Sequence, residues 1–157
     1  MINIDKIDRA ILGALQQDGR QSNVELAKKV GLSESACLRR VKNLDEKGVI
    51  THYAANVNAA AVGLPGSVFV RVSLVDQQEE KLRKFEESVR SVPEVMECYL
   101  MSGDVDYMIR VVVKGAPDYE RIHNTLTRLP GVARIHSSFA LRTVLKRTGL
   151  PLGNRQP

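Results

Sequence analysis

Arg39, Arg40 and Lys42 stand within four positions of one another, and Asp104 and Asp106 stand two apart in the pentapeptide Ser102–Asp106. The first set offers positive charge to an anionic partner. The second offers carboxylates to an ammonium group, while backbone N–H groups around Ser102-Gly103 are placed to receive a carboxylate, as open turns often do for anions. Ordinary turn chemistry, with Asp side chains bonding their own backbone, explains Ser-Gly-Asp equally well, and the residues leave both readings open.

The elements around the cations narrow their role. Residues 23–48, NVELAKKVGLSESACLRRVKNLDEKG, read as two short helices joined by a tight turn. The first spans 23–30, with Ser22 as N-cap and Gly31 as its stop. Ser33 caps a second, which ends at Gly48. On this second helix Cys37, Val41 and Leu44 recur at i, i+4 and i+7 and face inward, which turns Ser35, Leu38, Arg39 and Lys42 outward. An amphipathic helix over 4–17, with Ile4, Ile7, Ile11 and Leu15 on its stripe, precedes and braces the pair. A hairpin whose charged face merely sits in water is the alternative, since Glu34, Asp45 and Glu46 accompany the cations. The turn glycine, the two caps and the bracing helix favour a helix-turn-helix presenting a recognition helix to the major groove of double-stranded DNA.

Composition sets the bounds. The chain of 157 residues holds one ordinary domain or two small ones, and its 43% hydrophobic content suffices for packed cores. No apolar run approaches the roughly eighteen residues of a membrane span. No signal peptide is visible, so a cytoplasmic protein is expected. Cys37 and Cys98 are far apart, without CxxC or HxxxH spacing, and read as structural thiols rather than a disulfide or metal site. The net charge of +5 is unevenly spread: residues 1–50 carry nine Lys/Arg against seven Asp/Glu, 51–120 seven against eleven, and 121–157 seven against none. Pairing of the basic end with the acidic middle is the favoured account.

After Gly48 the pattern changes. Residues 49–58 look extended, and 59–66 (AAAVGLPG) are small and turn-rich. Strands are expected over 67–75, 95–101, 107–114 and 132–144, and helices over 78–92 and 118–129. The order βαββαβ is ferredoxin-like, with two helices on one face of an antiparallel sheet. SVPEVMECYL at 91–100 and RLPGVARIHS at 128–137 form an internal repeat at an offset of 37. Alternation places Phe69, Arg71, Tyr99, Met101, Met108, Arg110 and Val112 on the uncovered face. A second copy packed there would remove the exposed apolar surface, with Arg71, Arg110 and Glu97 able to pair across the seam.

With both parts in place, the chain resembles the Lrp/AsnC (feast/famine) family of bacterial and archaeal transcription regulators, and most closely its leucine-responsive branch. DKIDRAILGALQQDGR, the 23–50 unit, the hinge strand, the βαββαβ domain and SGDVDY at 102–107 carry the resemblance, with CLRRVK and ECYLMSGDVDY pointing to the branch. It implies an α+β architecture: a winged-type helix-turn-helix over 1–50, a hinge strand and linker over 51–65, a ferredoxin-like effector-binding and oligomerisation domain over 66–147, and an irregular tail over 148–157. It implies DNA contacts by Ser33, Ser35, Leu38, Arg39, Arg40 and Lys42. It also implies a homodimer assembling to an octamer, which binds a small amino-acid effector between dimers. By position the effector site falls on Leu100, Met101, Ser102, Gly103, Asp104, Val105, Asp106 and Tyr107. Arg134, His136, Ser137 and Ser138 come from a neighbouring subunit.

No catalytic residue, cofactor or metal ligand is expected. Siroheme decarboxylases resemble this family in architecture and form the alternative; His52, His123 and His136 would be the candidate groups. The sequence shows no nucleophile–base pair to support it.

Overall fold

A computed structural model describes residues 3–152, which divide into two compact units, 3–56 with 144–152 and 57–143. In the first, α1 (Lys6–Gln17), α2 (Asn23–Val30) and α3 (Glu34–Glu46) enclose a core of Ile11, Leu12, Leu26, Ala27, Cys37 and Leu44. Each helix begins on a side-chain cap. The Asp5 carboxylate accepts from Asp8 N at 2.8 Å and Asp8 returns a bond to Asp5 N at 3.3 Å. Ser22 and Glu25 repeat this reciprocal box on α2, and the Ser33 hydroxyl accepts from Ala36 N on α3. Such boxes satisfy amide groups that a helix start leaves without partners. Gly31 sits at φ 69°, the left-handed conformation that turns the chain from α2 toward α3.

One expectation for this unit changes: helix α1 begins at Lys6 rather than residue 4, because Asp5 stops it as the cap. The described part of the tail, 148–152, is irregular as expected; Gln16 Nε2 donates to the Leu150 carbonyl at 3.2 Å, and residues 149–152 lie along α1.

The second unit is a four-stranded antiparallel sheet in the order β2-β3-β1-β4, formed by β1 (Gly66–Leu74), β2 (Val95–Leu100), β3 (Tyr107–Val113) and β4 (Val132–Phe139). Helices α4 (Glu79–Val89) and α5 (Ala116–Leu126) cover one face. The core joins Val68, Val70, Val72, Ile109 and Val111 of the strands to Phe85, Val89, Ile122 and Leu126 of the helices. The expected βαββαβ arrangement is present. The repeat also has a structural counterpart. Val92 N donates to Val89 O and Val95 N to Val92 O; 37 residues on, Leu129 N donates to Leu126 O and Val132 N to Leu129 O. The same tight turn ends each helix and feeds the next strand, which is why both helices are shorter than their apolar periodicity suggests.

Three differences concern edges. Strand β4 stops at Phe139 rather than 144, because its partner β1 runs out: Phe139 opposes Val68 and Ala140 N reaches Ser67 O. Residues 49–58, expected extended, join no ladder among the described residues, and a 3-10 turn (Ala60–Val62) follows them before β1. Val112 lies on the uncovered face as expected, opposite Ser67 and in alternation with Arg110, but is only 9% exposed, whereas Phe69 and Tyr99 are open at 40% and 54%.

The caps predict a pH dependence. The Asp8 backbone N–H, then the Arg40 guanidinium, hold the Asp5 carboxyl below its usual 3.8; the Ser22 N–H and hydroxyl hold Glu25 below its usual 4.5. The unfolded chain therefore binds more protons than the folded one through this range, so the contribution is present above the ordinary carboxylate values and is lost as pH falls through the depressed ones. Urea denaturation followed at helix-sensitive wavelengths is expected to give a lower midpoint at pH 3 than at pH 7. Equal midpoints would remove the caps from the account.

Candidate functional site

The outward face of α3 is set by its inward one. Cys37 and Leu44 are fully buried and Val41 packs beside them, so Ser35, Leu38, Arg39 and Lys42 emerge on the opposite side. Leu38 is 57% exposed, an apolar side chain held in water among polar neighbours. Arg39 is exposed, and no carboxylate is ion-paired with it among the described residues. Lys42 lies 3.8 Å from Glu46, a solvent-exposed pair of little energetic consequence. Ser33 spends its oxygen on the cap and lies near the Ser35 hydroxyl. The Asn23 amide donates to the Glu34 carbonyl at 2.8 Å and so fastens the start of α2 to the start of α3.

Arg40 departs from this set. It is half-buried, and its Nη1 donates to Asp5 at 2.7 Å and to Asp8 at 2.8 Å. Its guanidinium is engaged at the start of α1 rather than displayed beside Arg39. The sequence reading missed Asp5 and Asp8 as its partners, although their spacing of three, just ahead of an apolar stripe, carries the capping signal.

The turn between β2 and β3 is closed by Met101 N donating to Asp106 O at 2.8 Å, with Gly103 at φ 130°. Ser102, Gly103 and Asp104 are exposed at its tip. Asp106 is a different kind of residue: it is 8% exposed, and both carboxylate oxygens are occupied, one by Leu74 N at 2.6 Å and the other by Gln77 Nε2 at 2.7 Å. It fastens the turn to the end of β1. Gln77 gave no signal in the sequence. Tyr107 is buried, donates to Glu86 at 2.8 Å and packs its ring, tilted by 39°, 4.5 Å from that of Phe85; burial first, then Glu86, raises its phenol well above the ordinary value. Leu100 and Tyr107 line a cavity of about 400 Å³ with Glu86, Arg90 and Cys98, on the helix side of the sheet. Burial pushes the Cys98 thiol up to about 11, so it stays protonated at neutral pH.

Strand β4 divides its residues by alternation. His136 opposes Arg71 and Ser138 opposes Phe69 on the uncovered face, with Arg134 opposite Ser73. Ser137 points the other way and hydrogen-bonds the Tyr119 hydroxyl. On the same uncovered face Glu97 accepts from Arg110 Nε at 2.8 Å and from Tyr99 at 3.2 Å. The histidines are scattered: His52 bonds Thr51, His123 sets its ring edge-on to Tyr119, and His136 faces away from the helices.

The two aspartates of the turn therefore differ in a measurable way. Asp106→Ala leaves the buried Leu74 N–H without an acceptor and is expected to destabilise the second unit by about 1–3 kcal/mol. Asp104→Ala at the exposed tip is expected to stay within about 0.5 kcal/mol of wild type. Chemical denaturation without any amino acid added distinguishes them, and equal effects would contradict the assignment.

Residues 4–51 match the winged helix-turn-helix DNA-binding family, and residues 67–150 match the Lrp/AsnC ligand binding domain. The chain is 48% identical over 153 residues to the Bkd operon transcriptional regulator of Pseudomonas aeruginosa, spanning 97% of this chain and 100% of that protein. It is 38% identical over 154 residues to the leucine-responsive regulatory protein of Escherichia coli, spanning 98% and 94%. The crystal structure of a Neisseria meningitidis transcriptional regulator in complex with L-Met superposes with a TM-score of 0.90 at 37% identity, covering 96% of this chain and 97% of that one. The chain is thus a transcriptional regulator with a helix-turn-helix and a ligand-binding domain, and it belongs to the Lrp/AsnC family.

Proposed function

We propose that α3 reads an operator through Ser35, Leu38, Arg39 and Lys42, and that a small amino acid bound at the turn over 102–106 adjusts this activity. The observation that carries the first half is the outward face of α3, where the Arg39 guanidinium, with no ion-pair partner among the described residues, stands beside an exposed leucine. An arginine offers two parallel donors to a guanine edge, and a leucine offers apolar contact to a thymine methyl. For the second half, a zwitterion needs an acceptor for its ammonium group and donors for its carboxylate. Asp104 provides the first and the backbone around Gly103 the second. Asp106, already engaged, holds the turn in shape. The Neisseria relative was solved with L-Met and other relatives are named leucine-responsive, which favours a small apolar amino acid.

The uncovered sheet face of Phe69, Tyr99 and Met108 suits a second copy of the chain, and effector binding between such dimers suits assembly to an octamer. A cytoplasmic regulator without catalytic activity completes the reading; the named relatives are transcriptional regulators, and no helix among the described residues is long and apolar enough to cross a membrane.

Arg39→Ala is expected to weaken binding to a duplex selected from a random pool by about 1–3 kcal/mol. If the lost contact is to a base, specificity relaxes at one position; if to a phosphate, all sequences weaken alike. Wild-type affinity at physiological salt would end the assignment of this face. A thermal-shift screen of the twenty amino acids is expected to raise the melting temperature for leucine or methionine, because a ligand that binds only the folded state stabilises it by mass action. Asp104→Ala should abolish that shift. An undiminished shift in this variant would place the effector elsewhere.

A further inference from the structure

We infer that Arg40 is a positioning residue: by closing the cap of α1 with its guanidinium, it fixes the orientation in which α3 meets DNA. The inference rests on α3 being the DNA-reading helix, and it concerns a residue that does not itself read.

The network is complete to the atom. Asp5 uses one oxygen to accept from Asp8 N and the other from Arg40 Nη1. Asp8 uses one oxygen to accept from Asp5 N and the other from the same Arg40 nitrogen. Four carboxylate oxygens thus hold four donor contacts, and the two hydrogens of one guanidinium nitrogen bridge both acids. Asp8 is 8% exposed. An Arg40 that swung out to a phosphate would leave this buried carboxylate beside a second one with no cation between them, a costly state for charge away from water.

Position gives the bridge its purpose. Arg40 follows Arg39 directly on α3, and its partners lie in the first turn of α1. Beyond the bridge, the middle and end of α3 pack through apolar side chains, Cys37, Val41 and Leu44, and the Asn23 amide holds only its first residue, Glu34. Apolar packing is non-directional and tolerates small rotations of a helix about its axis. Charge-assisted hydrogen bonds at 2.7 and 2.8 Å are directional and do not. Base readout needs side chains placed on base edges, whereas phosphate attraction depends mainly on charge. Loss of the bridge should therefore cost specificity before it costs general affinity.

The test uses the full chain, a duplex selected from a random pool by the wild-type protein, and a scrambled duplex of equal length. Arg40→Met is expected to weaken the selected duplex about tenfold or more. Binding to the scrambled duplex should change less than about threefold, and the salt slope should hold. Asp8→Asn, on the far side of the bridge and away from α3, should lower the ratio of the two affinities likewise. The double variant should be no worse than the worse single one, because both remove the same interaction. A role confined to stability would lower the melting temperature and leave the ratio untouched, which overturns the inference. So does a slope flattened by about 0.9 with both duplexes weakened alike, the mark of a phosphate contact. Arg39→Ala is the control for the underlying reading: if it binds both duplexes as wild type does, the fault lies with α3 as the reading helix. Circular dichroism establishes that each variant is folded. Should Arg40→Met fail to fold, Asp8→Asn decides alone, and a wild-type ratio there overturns the inference.

Discussion

Strand β1 pairs along both of its edges, with β3 on one side and β4 on the other, and the second unit is arranged around it. Its alternating residues separate the two faces of the sheet: Val68, Val70, Val72 and Leu74 enter the core, while Phe69 and Arg71 face away from the helices. Two helices suffice to cover only one face of four strands, so the other face is left with Tyr99 and Phe69 in the open. Both ends of β1 are fixed as well. At its start Gly66 lies so close to Val113 that a side chain there would stand 2.5 Å from a methyl carbon. At its end the backbone N–H of Leu74, where the register to β4 shifts, donates to Asp106. The turn over 102–106 therefore inherits its position from the strand at the middle of the sheet.

Each unit buries one aspartate, and each of these fastens a working segment. Asp8 meets the guanidinium of the helix assigned to DNA; Asp106 meets the backbone at the base of the turn assigned to the effector. A carboxylate moved away from water is tolerated only when its oxygens find donors, and here all four do. Apolar cores supply most of the driving force for folding, but they leave small rotations and shifts of surface elements cheap. Directional bonds to a buried acid remove that freedom at the two segments to which the proposed reading assigns recognition.

The periodicities made the architecture legible. Period-two alternation in residues 67–75 and 107–114 separated core from open face, and the helical stripes of 78–92 and 118–129 identified what covers it. The Ser22, Ser33 and Gly31 signals located α2 and α3 because capping is local chemistry, written in adjacent residues. Strand ends were harder: β4 continues as an apolar pattern through Leu141 and Val144, but a strand ends where its neighbour does, and that depends on β1, some 70 positions away. Roles that turn on long-range partners were equally hidden. Arg40 resembles Arg39 in type and differs only in having Asp5 and Asp8 within reach, and Asp106 resembles Asp104 except for Gln77 and Leu74.

The exposed turn tip bears on how ligand and assembly are linked. Within one chain Asp104 stands in water with backbone groups beside it, and a free amino acid held by so few groups would gain little over its own hydration. On the proposed reading, a neighbouring subunit supplies the remaining walls, with the β4 residues Arg134, His136 and Ser138 on the uncovered face as its contribution. Affinity for the effector then exists only in the assembled state. Reciprocity follows from linkage: whatever factor assembly adds to effector affinity, the effector adds to assembly. An effector that bound separated and assembled forms equally well would move nothing, however tightly it was held. A shallow, shared site is thus better suited to regulation than a deep pocket closed within one chain, because it makes the bound amino acid a term in the subunit equilibrium.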